Sequence, residues 1–191
     1  MIAPTPALFL DRDGVINVDV GYLHKPEDCI FVEGIFDLVK RANALGYKVI
    51  VVTNQAGIAR GYYTETQFLD FSAWMKNEFS RNYAHIDEIY FCPHHPVHGL
   101  DKYHTQCDCR KPAPGMFLEA QAAFNIDMQA SVMVGDNISD LEAAIAAGVG
   151  LSNLFISSSI DRTITEIEEA QAKKLQIKTI SSLKQVSLSN T

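Results

Sequence analysis

No apolar run in this chain of 191 residues approaches the ~18 residues that would cross a bilayer, so no membrane association is expected. Its opening residues, Met1-Ile2-Ala3-Pro4-Thr5-Pro6, hold no basic side chain, and the apolar stretch after them stops at Asp11. A secretory signal is therefore not expected. Positive charge is scarce: 16 Lys+Arg against 23 Asp+Glu give a formal charge of -7. Nucleic-acid binders normally need a basic face, which disfavours that class. Cysteine is scarce too. Of the four, Cys92, Cys107 and Cys109 cluster while Cys29 stands alone, which suggests a local site rather than a disulfide framework. Lacking an export signal, the chain is expected in a reducing cytoplasm. Hydrophobic residues at 47% and charged residues at 20% exclude disorder and coiled coil as descriptions of the whole. There are no internal repeats and no linker, and at ~150 residues per domain the length argues for one domain over residues 1–191.

Short apolar runs alternate with helical patterns. Residues 7–10, 48–52, 86–92, 131–134 and 151–156 read as buried strands. Helical spacing occupies 34–45, 64–82, 115–124 and 139–147. Thr64-Glu65-Thr66-Gln67 matches a capping box, and Gly46 and Gly148 stand where C-terminal caps belong. A polar loop, a helix near 164–175, a strand at 177–180 and a final amphipathic segment follow, with the last four residues frayed. Residues 13–28, 54–61 and 93–114 read as loops. Strands separated by single helices imply an α/β, doubly wound parallel sheet. In such sheets ligands sit at the carboxyl ends of the strands, near the switch in strand order. Asp11, Thr53, Cys92 and Asp136 each stand just past a strand.

Asp11-Arg12-Asp13-Gly14 is the sharpest feature. Two carboxylates two residues apart at one strand end can face one pocket. They can bind a metal, supply a nucleophile with an acid/base, or form a solvated turn. Asp136 follows another strand and reads as a metal ligand, whereas Asp140 reads as a helix cap or a supporting contact. Several oxygen donors with no soft ligand nearby suit Mg²⁺. A phosphate substrate would require cations, which Arg110-Lys111 supplies, and Thr53-Asn54-Gln55 adds hydrogen-bond donors.

Cys92, His94, Cys107 and Cys109 make a Cys₃His set of the kind that holds structural zinc, within a loop spanning 92–109. His95, His98 and His104 compete as ligands. A closed site of four ligands would order this long irregular segment and position Arg110 and Lys111. Cys29 reads as an apolar filler.

In chain order, Asp11-Arg12-Asp13-Gly14-Val15, Thr53-Asn54, Lys111-Pro112 and Gly135-Asp136-Asn137-Ile138-Ser139-Asp140 resemble the four motifs of the haloacid dehalogenase (HAD) superfamily of phosphohydrolases. The resemblance implies that Asp11 attacks phosphorus and that Asp13 protonates the leaving oxygen and then activates water. It implies that Thr53 and Lys111 hold the phosphoryl oxygens. It also implies Mg²⁺ held by Asp11, the backbone carbonyl of Asp13, and Asp136. No large insert follows the first or third strand, so the chain resembles the capless members, whose specificity rests on loops, here 18–25, 56–62 and the zinc loop.

Longer matches narrow the resemblance to a branch acting on small sugar bisphosphates. They run from Asp11 through Asp19, Gly21 and Tyr22, from Thr53 to Gly61, and across Cys92-Pro93-His94 with Cys107-Asp108-Cys109-Arg110-Lys111-Pro112. That likeness implies sugar contacts from Asp19, Gly21, Tyr22, Asn54, Gln55, Ala56, Arg60 and Arg110. Arg60 and Arg110 are the candidates for the remote phosphate, although Arg60 also suits a surface charge. Asn137 and Val15 depart from residues frequent in that branch, without touching the reacting groups. The neighbouring rival is histidinol-phosphate phosphatase, for which Asp19, Glu27 and Asp28 would suit a cationic substrate. A polynucleotide 3′-phosphatase conflicts with the net charge, and a non-catalytic binding module with the intact acidic set. With no apolar seam left over, a monomer is expected.

Overall fold

The computed structural model describes residues 3–156 and 165–189. Six parallel strands form one sheet in the order β3-β2-β1-β4-β5-β6: β1 (Thr5–Leu10), β2 (Lys48–Asn54), β3 (Glu88–Cys92), β4 (Ile126–Gly135), β5 (Leu151–Phe155) and β6 (Lys178–Ile180). The connecting helices are α1 (Ile35–Ala44), α2 (Ala56–Ala59), α3 (Glu65–Arg81), α4 (Gly115–Phe124), α5 (Ile138–Ala146) and α6 (Glu166–Lys174). The expected loop at 93–114 contains only one short 3₁₀ turn, at Asp101–Tyr103.

Both faces of the sheet are covered, as the continuous apolar runs of the central strands require. Alternate side chains enter opposite layers. Leu8, Leu10, Val49, Val51, Val132 and Val134 pack with residues of α1 and α3. Ala7, Phe9, Ile50, Val52, Met133 and Leu154 pack with residues of α4 and α5. Strand order reverses between β1 and β4. Leu10 pairs with Val134, so Asp11 and Asp136 leave neighbouring strands at the same end of the sheet.

Several boundaries differ from the sequence reading, among them β1, which starts at Thr5 rather than 7. β4 starts at Ile126 rather than 131, because Thr5 and Pro6 pair with Ile126 and Asp127 ahead of a register shift. The polar residues Asp127 and Gln129 conceal that edge from a periodicity argument. The loop at 54–61 contains the single turn α2, and β3 starts at Glu88 rather than 86. The capping box on α3 forms as read, with Thr64 accepting from Gln67 N. The first residues of the helix expected near 164, the polar loop before it and the end of the frayed terminus lie outside the described residues.

Candidate active site

Asp11 emerges from β1 buried, and its Oδ1 lies 2.7 Å from the Lys111 Nζ. The same ammonium reaches Asp140 Oδ1 at 2.8 Å and donates to the Val52 carbonyl at 2.8 Å. Burial works against the Lys111 charge, yet Asp11 and Asp140 hold it well above the ordinary lysine value. Burial pushes the Asp11 carboxyl well above the usual carboxylate range; Lys111 opposes this, while Asp140 and Asp136 reinforce it. The Lys111 backbone is clamped in turn. Its N–H donates to Asn54 Oδ1 and its carbonyl accepts from Asn54 Nδ2, both at 3.1 Å.

Carboxylate oxygens of Asp11, Asp136 and Asp140 lie within 4.8 Å of one another. An all-oxygen donor set this close fits a hard divalent cation. Gly14 makes room for it: at φ +89 it occupies the left-handed region, and an added Cβ would stand 2.3 Å from Asp136 Oδ2. Asp140 is both cap and support, since its second oxygen accepts from Asn137 N at 3.0 Å.

The Asp13 carboxylate is absent from that acidic trio and is held separately. Arg12 grips both of its oxygens through Nε and an Nη, at 2.8–3.1 Å. Asn17 donates to Oδ1 at 3.0 Å and Gln55 to Oδ2 at 3.2 Å. The Arg12 guanidinium is 1% exposed and lies 5.2 Å from the Phe71 ring centroid and 5.6 Å from that of Phe68. Sequence reasoning missed Arg12. Its place between two motif carboxylates was visible, but not its burial over two aromatic rings contributed by α3.

Asp11, Asp13, Lys111, Asp136 and Asp140 line an open cavity of about 440 Å³ with Asp19, Gly21, Tyr22, Thr53, Asn54, Gln55, Ala56, Gly57, Tyr63 and Asn137. The predicted sugar contacts thus converge, apart from two. Arg60 and Arg110 are not among the lining residues. Both act instead on His95, whose pKa is lowered first by burial and then by these guanidiniums and the neighbouring histidines. Arg110 also donates to the His94 carbonyl at 3.1 Å. The Tyr22 ring meets Tyr62 edge-on at 4.5 Å between centroids, and Asp19 Oδ1 accepts from Gly21 N.

Ligand atoms of Cys92, His94, Cys107 and Cys109 lie within 4.8 Å of one another. The three sulfur–sulfur distances are 3.1–3.5 Å, and the His94 Nδ1 stands 3.5 Å from Cys109 Sγ and 3.8 Å from Cys92 Sγ. A tetrahedral zinc with Zn–S of about 2.3 Å sets sulfurs about 3.8 Å apart, so the donor set fits with a slight expansion. His95, His98 and His104 are not part of it: His95 Nδ1 accepts from two backbone N–H groups, and His104 Nε2 faces the Pro96 carbonyl.

A HAD-hydrolase-like family model matches residues 108–178. The chain is 51% identical over 167 residues to the D-glycero-beta-D-manno-heptose-1,7-bisphosphate 7-phosphatase of Vibrio cholerae, covering 87% of this chain and 88% of that one. It is 52% identical over 159 residues to the corresponding alpha-anomer phosphatase of Burkholderia mallei, covering 83% and 84%. The chain belongs to the D-glycero-D-manno-heptose-1,7-bisphosphate 7-phosphatase family of HAD hydrolases. Like the other members of this phosphatase family, it is a phosphoric monoester hydrolase. The fold agrees with that of D,D-heptose 1,7-bisphosphate phosphatase from B. bronchiseptica, complexed with magnesium and phosphate, at a TM-score of 0.75 and 26% identity over 94% of each chain.

Proposed function

We propose that this phosphatase removes the C7 phosphate of D-glycero-D-manno-heptose 1,7-bisphosphate through an aspartyl-phosphate, on a route to nucleotide-activated heptose for lipopolysaccharide or surface glycans. The observation that carries this reading is the buried Asp11 carboxylate, paired with Lys111 and facing an open cavity lined by Asp13 and Thr53. Asp11 Oδ attacks phosphorus as the bond from phosphorus to the C7 oxygen breaks, and Asp13 gives that oxygen its proton. Asp13 then takes a proton from the water that attacks the phosphoenzyme, releasing inorganic phosphate and restoring Asp11. Thr53 and Lys111 hold the phosphoryl oxygens. Asp11, the Asp13 backbone carbonyl and Asp136 would hold Mg²⁺, which when bound offsets the repulsion between phosphate and carboxylates.

Asp19, Gly21, Tyr22, Asn54, Gln55 and Ala56 contact the sugar from the cavity wall. Arg60 and Arg110 receive the remote phosphate from beside His95. Zinc in the Cys92, His94, Cys107 and Cys109 set is structural, because four protein ligands leave no open position. The enzyme works as a single-domain monomer in the cytoplasm.

The test is ³¹P NMR of the protein with Mg²⁺ and each anomer of heptose 1,7-bisphosphate, beside histidinol phosphate. Selective loss of the C7 signal is expected. Consumption of histidinol phosphate with the sugar inert would overturn the substrate reading while leaving the phosphatase chemistry intact.

A further inference from the structure

Tyr63 belongs to none of the motifs, yet it lines the same cavity and is linked to the acid/base residue through Gln55. It is 4% exposed, and its hydroxyl donates to Gln55 Oε1 at 2.5 Å. The other end of that amide, Nε2, donates to Asp13 Oδ2 at 3.2 Å and to Thr53 Oγ1 at 2.7 Å. A carboxylate only accepts, so the amide nitrogen must face Asp13 and the amide oxygen must face a donor. Tyr63 is that donor. Burial pushes its phenol up to about 12, so it keeps its proton throughout the neutral range.

The ring is seated as deliberately as the hydroxyl. It stacks on the His24 imidazole, with centroids 4.9 Å apart and planes 14° apart. Gly57 also lies against the ring, and an added Cβ there would stand 2.2 Å from Tyr63 Cε1 and 2.8 Å from its hydroxyl oxygen. A glycine inside the helical turn α2 is less favourable there than alanine. It is explained here by the ring that lies against it.

We propose that Tyr63 is a positioning residue for the reaction. By fixing the Gln55 amide it holds Asp13 where the leaving oxygen departs, and it leaves the Thr53 hydroxyl hydrogen free to face the phosphoryl group. Gln55 therefore serves the reacting groups as well as the cavity wall. This inference rests on the reading of Asp13 as acid and base.

The test uses the leaving group. A sugar alkoxide needs a proton to depart, whereas a nitrophenolate leaves without one, so a misplaced acid penalises the first ester selectively. Tyr63→Phe keeps the ring and deletes the hydroxyl. It is expected to lower kcat/KM on heptose 1,7-bisphosphate about tenfold, through kcat with KM little changed. With p-nitrophenyl phosphate the loss is expected to be about threefold or less. Equal losses on the two esters, a loss confined to KM, or no loss would overturn the proposal. Gly57→Ala, which displaces the ring, should reproduce the split, and it carries the test if Tyr63→Phe does not fold. Asp13→Asn is the control. If it shows no preference between the esters, the acid/base reading fails. If it discriminates and Tyr63→Phe does not, only the positioning role fails.

Discussion

Lys111 sits 3% exposed between Asp11 and Asp140, one cation answering two carboxylates. Lys111→Met would leave both facing each other in a buried site. Removing one member of a buried ionic set costs about 3–5 kcal/mol, and urea unfolding in chelator should show a loss of that order. Asp11→Asn should instead abolish turnover while the protein remains folded, since Lys111 keeps Asp140; unchanged turnover would refute the nucleophile assignment. Gly14 offers a second residue-level test. Gly14→Ala places a methyl against Asp136 and forces a left-handed backbone at a cost of about 1–2 kcal/mol. Titrating turnover with Mg²⁺ should show a right-shifted curve, and an unshifted one would separate Asp136 from the metal. At this scale the motif carboxylates and Thr53 drew attention because their types stand at strand ends, and Lys111 because it joins Arg110 just before Pro112. Arg12, Tyr63 and the Lys111–Asp140 pair were not, because a one-dimensional pattern does not reveal which side chains meet across elements.

The segment between β3 and α4 gains its order from contacts rather than from repeating backbone geometry. The Leu100 N–H donates to the Ala59 carbonyl, His95 N–H to the Tyr103 carbonyl, and the Tyr103 hydroxyl to Glu65 at 2.6 Å. The cysteine-histidine cluster forms its root, next to Arg110 and Lys111. Zinc extraction should abolish hydrogen-exchange protection across residues 93–110 while the central strands stay protected; unchanged protection would remove the metal from the account. The Glu65 anchor has a pH signature. The hydrogen bond from Tyr103 depresses the Glu65 carboxyl, burial opposes, and Lys102 adds to the depression. A depressed acid stabilises the fold above its unfolded value near ~4.3, and that contribution disappears as pH falls through the folded value. The Glu65 side chain is 37% exposed, and solvent screening keeps the effect below about 1 kcal/mol. Wild type and Glu65→Gln should therefore differ slightly in unfolding at pH 7 and converge near pH 3. The sequence showed where this loop lies and which four residues group in it. It did not show the docking onto α2 and α3, nor that Arg60 and Arg110 stand outside the cavity lining.

At the scale of the molecule, the strand order sets the position of the site. The reversal between β1 and β4 is where parallel sheets open a crevice, and alternating apolar runs made that architecture readable in advance. The start of β4 was less legible, because register against β1 overrides local polarity there. If Mg²⁺ and phosphate bind this crevice only in the folded state, each present at about 100-fold its Kd adds about 2.7 kcal/mol. For a chain of this size that raises Tm by about 5–10 °C. Asp136→Asn should lose the Mg²⁺ share, and a full shift in that variant would place the cation elsewhere. The ion pair between Asp11 and Lys111 joins residues 100 positions apart, and Gln55 reaches across 42 positions to Asp13. No short stretch of the chain brings together Asp11, Asp13, Thr53, Lys111 and Asp136. Catalysis therefore returns on refolding only when the strands from β1 through β4 have assembled, which makes turnover a gauge of completed folding and leaves any partly folded chain catalytically silent.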